Sequence, residues 1–275
     1  MGITSAHAIA KVKRALPKGT KIGHTGTLDP LASGLLVVVV GRATRLARYV
    51  TPMSKSYTAT ARLGAVSDTL DADGEIVALD NPVPDERTIR AKLPDFVGSI
   101  RQVPPMASAV KIGGRRLYDL HRRGVEVDRE PRTVEIQALD LVSFSDDTAT
   151  FEVTCSSGTY VRSLVADLAH SAGSGAYLTA LRRTSVGHLS VHDAQPPERL
   201  DEQTIDNHII HPKELLGGLP RVDVSADERS AVCNGRKMGV AGVEGSYRVM
   251  AGGELLAVYR DAGVEARAEV VLCAP

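Results

Sequence analysis

Apolar positions at helical spacing, Ile9, Val12 and Leu16, follow Thr4 and Ser5 and predict a helix through about Leu16, capped by those hydroxyls and ended by Pro17-Lys18-Gly19. Leu35–Val40 is an unbroken apolar run closed by Gly41, short and β-branched, which predicts a buried strand. Ala43–Val50 predicts a short helix stopped before Pro52. Lys55–Leu63 alternates, with Tyr57, Ala59, Ala61 and Leu63 on one face and Ser56, Thr58, Thr60 and Arg62 on the other, the pattern of a half-buried strand. Asp71-Ala72-Asp73-Gly74 predicts a turn and Glu86–Val97 an amphipathic helix. Thr133–Val142 and Thr148–Cys155 read as strands, Tyr160–Ser171 as a helix ended by Gly173, Leu178–Arg183 as a further helical turn, and Glu198–Leu216 as helix plus linker. Arg101–Val127, with Pro104-Pro105 and Gly113-Gly114, follows no period and predicts a long functional loop. From Leu219 the runs shorten (Tyr247–Met250, Leu255–Tyr259, Glu269–Leu272) between glycines, predicting a small β-rich domain at 219–275 after a larger one over 1–215. The expected class is α+β (mixed α/β).

Charge changes this picture more than composition does. The 275 residues are 43% hydrophobic and carry no net charge, which argues against a polyanionic partner until the charges are placed along the chain. Between Lys11 and Arg62 stand ten Lys or Arg and one acid, Asp29; between Arg101 and Arg132 stand eight cations and four acids. Either run alone reads as a solvated helix face, but two of them favour a phosphate-bearing ligand. Cys155, Cys233 and Cys273 are odd in number and form no C-x-x-C pair, so the expectation is no disulfide framework, no zinc site and a reducing compartment. The eight His show no H-E-x-x-H or H-x-H spacing, so no metal is expected. With no apolar run long enough for a membrane span and no secretory pattern at Met1, the reading is a cytoplasmic protein.

The segment Lys21-Ile22-Gly23-His24-Thr25-Gly26-Thr27-Leu28-Asp29-Pro30-Leu31-Ala32-Ser33-Gly34-Leu35-Leu36 holds the candidate chemistry. Its glycines allow close backbone approach, and Pro30 restricts Asp29 to an extended conformation that aims its carboxylate. By local pattern alone an Asx-type turn feeding a strand is the commoner outcome. A lone carboxylate among ten cations instead suits an acid that must stay ionised beside phosphates.

Gly23–Leu36 resembles the G-H-x-G-x-L-D-P-x-A-x-G-x-L motif of the TruB family of tRNA pseudouridine synthases. Further segments resemble that family in its order: Lys55-Ser56-Tyr57-Thr58-Ala59, Asp68–Gly74, Gln102–Ala109, Lys111–Gly124, Gly158-Thr159-Tyr160-Val161-Arg162-Ser163-Leu164 and Ala180-Leu181-Arg182-Arg183-Thr184. Together they span Gly2 to Gly187. The resemblance implies a catalytic domain with a large, mostly antiparallel sheet flanked by helices, a thumb-like insertion at about 101–130, and a small C-terminal PUA-like domain. On the residues alone, an ordinary β-rich capping domain fits 219–275 nearly as well.

The resemblance also implies isomerisation of uridine 55 in the T-loop of tRNA to pseudouridine, without cofactor or metal. Asp29 would be the nucleophile, attacking either sugar or base; Arg162 would hold it ionised and aimed, and Tyr57 would lie against the target base as general base. Leu181 would wall the pocket, His24 would stack in place of the flipped nucleotide, and Asp71 would contact bases of the loop. Lys111, Arg115, Arg116, Arg122 and Arg123 would be phosphate ligands. Each has a plainer role open to it: phosphate or surface Arg, core Tyr and Leu, structural His, turn-forming Asp.

Family members begin with a further strand and a D-K-P-x-G segment ahead of the G-x-T-S seen here as Gly2-Ile3-Thr4-Ser5, so either a later assigned start or one fewer edge strand is expected. The partner expected is the tRNA T stem-loop, bound by a monomer. The other readings are an RNA-guided relative, against which the long insertion and the lack of a basic C-terminal tail count, and an RNA-folding chaperone with a dead site, against which Asp29, Tyr57 and Arg162 count.

Overall fold

The alternation over Lys55–Leu63 folds into strand β4 over those same residues. The computed structural model describes residues 2–108, 110–121 and 123–274, leaving out the side chains of 111, 112, 115, 116, 119 and 121. Strand β4 sits inside a seven-stranded sheet ordered β13 (Leu189–Ser190), β12 (Ala176–Val186), β4, β11 (Thr148–Cys155), β10 (Arg132–Ser145) and β7 (Gly98–Gln102), with β2 (Ala32–Gly34) joined to β12. Only the β2–β12 pairing is parallel. Helices α3 (Glu86–Lys92) and α5 (Val161–Ser171) bury Ile89, Leu164, Val165 and Leu168 against Ala59, Ala61, Phe151 and Val153 of the strands. Full burial of side chains the size of Phe151 or Leu168 stabilises the fold by roughly 1.5–3 kcal/mol each.

Several elements differ from expectation. Leu178–Arg183 is not a helical turn but the middle of β12. The pairing of β12 with β4 shifts between Leu178 and Ala180, so Leu178 and Leu181, three residues apart, both turn into the core; a bulge of this kind imitates helical spacing. Only Val38–Val40 of the apolar run forms a strand (β3), in a two-stranded ladder with β1 (Ile22–His24). The helix expected over Glu86–Val97 stops at Lys92 and continues as a 3-10 turn around Pro94, which has no N–H for a helical bond. Helix α1 begins at Ser5, whose Oγ serves the backbone of Leu28 rather than capping the helix. The helix expected at Ala43–Val50 is a 3-10 stretch followed by α2 (Ala47–Val50), and Glu198–Leu216 holds two 3-10 turns and α6 (Pro212–Leu215). The insertion is no bare loop: it carries a hairpin of β8 (Lys111–Ile112) and β9 (Arg115–Arg116), helix α4 (Leu117–His121) and a cluster of Met106, Leu117 and Leu120. Its apolar residues are too scattered in sequence to show a period. Strands β5 (Ala65–Ser67) and β6 (Ile76–Ala78) pair across the Asp68–Gly74 turn.

Toward the C-terminus lies the expected β-rich region, a five-stranded sheet ordered β14 (Arg221–Asp223), β16 (Ser246–Ala251), β17 (Glu254–Ala262), β18 (Glu265–Val271) and β15 (Met238–Gly239), with helix α7 (Ala226–Cys233) started by a Ser225/Glu228 capping box. Cys233 and Cys273 are disulfide-bonded, which corrects the expectation of no disulfide framework. The end of α7 and the exit of β18 are brought to a Cα separation of 5.4 Å by folding, across 40 residues of chain, so no local spacing announces the pair. Cys155 is the free, buried cysteine.

The chain forms two compact units, one of Met1–Ser5, Leu28–Leu35 and Pro52–Ala194, the other of Ala6–Thr27, Leu36–Thr51 and Gln195–Pro275. The division therefore does not fall near 215–219. In the second unit Val12, Ala15 and Leu16 pack with Ile205, and the hydroxyls of Tyr49 and Ser246 both donate to Glu269. Long-range contacts of this kind draw early segments of the chain to its C-terminal part.

Candidate active site

Three anchors place Asp29 in the first unit. Leu28 N donates to Ser5 Oγ (2.9 Å), Ala32 N donates to the Asp29 carbonyl (2.9 Å), and β2 then docks on β12 with Ala32 opposite Leu181 and Gly34 opposite Arg183. Gly34 has φ +97°, and a Cβ there would come within 2.2 Å of the Arg183 carbonyl oxygen. Glycine is thus required both by conformation and by space. Tyr57, on β4, stands opposite the same Arg183 from the other side of β12.

Arg162, second residue of α5, is 2% exposed and contacts four residues on three separate segments. Its Nε donates to Asp29 Oδ2 (2.9 Å), Nη1 donates to the Thr69 carbonyl (2.6 Å) and pairs with Asp71 Oδ2 (3.1 Å), and Nη2 donates to the Ala107 carbonyl (2.8 Å). The start of α5 is itself pinned: the buried Gln102 amide accepts from Tyr160 N (2.7 Å) and donates to Tyr160 O (2.9 Å). The fork geometry of a guanidinium can serve these partners together, which a single ammonium cannot. Asp29 remains 31% exposed, so its carboxylate is oriented from behind and open in front.

Asp71, expected to contact bases of the loop, is 5% exposed and turned inward onto Arg162. Thr69 Oγ1 and Asp73 N donate to its Oδ1 (2.6 and 3.1 Å), while Leu70, held at φ +62°, and Ala72 bond to Leu178 of β12 and clamp the turn. A non-glycine residue in that region carries strain, which the backbone bonds of Leu70 and Ala72 to Leu178 hold in place. Asp71→Asn would set an amide against Nη1 and remove one charge-assisted bond. We expect the catalysed rate to fall ~10–100-fold with substrate affinity little changed. Binding measurements beside single-turnover assays check this; loss of affinity alone would instead make Asp71 a substrate contact.

Burial pushes the Tyr57 phenol up, the Arg183 guanidinium, which hydrogen-bonds it, opposes that, and the charge of Asp29 adds to it. Arg183 stands between Tyr57 of β4 and Gly34 of β2 in register, which places Tyr57 and the Asp29 segment on either side of β12. Lys55, two residues before Tyr57, is buried with Nζ on the Met53 carbonyl, and burial followed by the charge of Arg183 pushes it down to about 8. Leu181 is a core residue beside Ala32 and Ala59. His24 belongs to the second unit, at the end of β1, where Nδ1 accepts from Gly26 N. Arg123 lies exposed after α4; Arg122 and the side chains of Lys111, Arg115 and Arg116 lie outside the described residues. Sequence reasoning missed Arg183, Lys55, Gln102 and the Thr69 and Ala107 carbonyls. Nothing local separates buried Arg183 from exposed Arg182; the signal was strand alternation, obscured by the bulge.

Several of the cations around Asp29 in sequence have other partners. Lys11 pairs with Glu198, Arg48 with Glu269 and Arg62 with Asp147, while Asp29 is held by an arginine 133 residues away. Among the described residues no cluster of three or more His, Cys, Asp or Glu could hold a metal ion, and no helix is long and apolar enough to cross a membrane.

Residues 13–161 match the family model described as TruB family pseudouridylate synthase (N terminal domain). The chain is 41% identical over 262 residues to tRNA pseudouridine synthase B of Dechloromonas aromatica (strain RCB), covering 94% of this chain and 87% of the relative. It is 44% identical over 241 residues to the enzyme of that name from Burkholderia mallei (strain NCTC 10247), covering 86% and 80%. Among solved structures, a crystal structure of a Cbf5-Nop10-Gar1 complex contains a chain with a TM-score of 0.70 and 24% identity, covering 99% of this chain and 82% of that one. That likeness speaks to fold alone.

Proposed function

The chain belongs to the TruB family of pseudouridylate synthases, and on that premise we propose that it isomerises uridine 55 in the T-loop of tRNA, with Asp29 as nucleophile. The observation that carries this reading is the Asp29 carboxylate, held by a fully buried arginine yet open on one side. The reaction breaks the N1–C1′ bond, forms a C5–C1′ bond, removes the proton from C5 and leaves one on N1. Electrons balance within the substrate, so no oxidant or reductant enters. Asp29 forms the covalent intermediate either at C1′, where it takes the place of N1, or on the base, and departs as the free carboxylate as C5–C1′ forms or after it; Arg162 keeps that carboxylate ionised and aimed, and Tyr57 takes the C5 proton.

A T-loop uridine lies inside a folded loop, so the nucleotide must be flipped out, which costs a few kcal/mol. Phosphate contacts from the insertion, Arg123 among them, would offset that cost and set affinity more than specificity. The C-terminal sheet is the place for a PUA-like contact with the same RNA. We further assign the protein to the cytoplasm, as a monomer acting without cofactor.

The test is pseudouridine-specific chemical probing of an unmodified tRNA before and after incubation with the purified protein. A new mark at position 55, in the absence of any guide RNA, is expected. A tRNA left unmarked, or marked only when a guide RNA is supplied, would sink the proposal.

A further inference from the structure

The buried cation on the far side of Tyr57 has no part in the mechanism as given so far. Among the described residues Arg183 is the largest fully buried side chain, at 2% exposure. It is tied at three points. Its Nε donates to the Leu35 carbonyl (2.7 Å), its carbonyl accepts from Leu35 N (2.8 Å), and its backbone lies against Gly34, so it grips the C-terminal end of the segment that carries Asp29. Across β12 it faces Tyr57 in register, and the two side chains are hydrogen-bonded.

We infer that Arg183 is a positioning residue for the reaction, fixing the Tyr57 hydroxyl between the two strands so that its free hydrogen-bonding capacity faces the substrate side where Asp29 stands. A guanidinium only donates, so the phenol oxygen must accept from Arg183. One lone pair and the O–H remain for the substrate, and their direction follows from a guanidinium whose own position is set by Leu35. Arg183 favours the phenolate form of Tyr57 against the rise that burial causes, so the oxygen that draws off the C5 proton faces a fixed positive partner in a water-poor setting, where such a partner counts for most. Lys55, buried two residues earlier on β4, adds a second cation on the same side. Arg183 itself touches no reacting atom in this account; it acts through Tyr57.

This inference rests on the role proposed for Tyr57, and the experiment separates the two. Single-turnover rates on tRNA are measured for Tyr57→Phe, Arg183→Gln and the double variant, with tRNA affinity and thermal melts alongside. Tyr57→Phe is expected to be slow. Arg183→Gln is expected to lose roughly 30-fold in rate with affinity within about threefold, and Arg183→Lys to recover part of that loss. The double variant should then be no more than about twofold slower than Tyr57→Phe alone, because Arg183 has nothing left to position. If the two losses multiply, Arg183 acts through the Asp29 segment or the core, and the inference is overturned while Tyr57 keeps its role. If Tyr57→Phe turns over like the unaltered protein, both ideas fall. Should Arg183→Gln fail to fold, the same cycle run with Arg183→Lys decides by the same two outcomes.

Discussion

Asp29→Asn should abolish release of tritium from 5-tritiated uridine in tRNA, lowering turnover by roughly 10⁴-fold or more, as expected when a covalent nucleophile is removed. The substitution is nearly isosteric, and the amide oxygen still accepts from Arg162 Nε, so the Asp29 segment keeps its anchors at Ser5 and β12. Binding of tRNA should therefore stay within about threefold, since phosphate contacts rather than this carboxylate supply affinity. An Asp29→Asn protein that still releases tritium at a rate near that of the unaltered protein would remove the nucleophile assignment.

Arg162→Met should damage both activity and stability, and the second effect makes it diagnostic. Methionine fills the space but leaves Asp71, 5% exposed, and the Thr69 and Ala107 carbonyls without their donor. Removing one partner of a buried ion pair costs about 3–5 kcal/mol, which for a chain of this size lowers Tm by roughly 6–20 °C. Asp71→Asn placed in the Arg162→Met background should recover part of that loss, because the stranded charge is removed. Turnover stays low in both, as Asp29 has lost its aim. If Arg162→Met melts where the unaltered protein does, the cluster is not the buried, mutually dependent network described above.

The site was legible in unequal parts. Asp29, Tyr57 and Arg162 could be named from motifs, and the structure brings them into one unit, around β12 and the start of α5. Asp71 could be named but not understood. A D-x-D-G turn reads as surface because turns usually are, yet here Leu70 takes a positive φ and the turn bonds to Leu178, which aims the carboxylate inward. The lone acid among ten cations drew notice to Asp29 for an incomplete reason, since its partner comes from far along the chain and several of those cations are paired elsewhere.

What the sequence by itself determined was what local chemistry and periodicity can carry: strand β4 from its alternation, the stop of α5 at Gly173, the tight Gly-rich segment around Asp29, and a β-rich C-terminal part. What only the tertiary structure decided were the features that depend on residues distant in sequence. The bulge in β12 sends Leu178 and Leu181 to one face, Arg183 becomes the buried neighbour of Tyr57, Cys233 finds Cys273, and residues 6–27 and 36–51 join the C-terminal unit. Backbone propensity acts over a few residues, whereas register, burial and charge pairing are settled by whichever segments the sheet brings side by side.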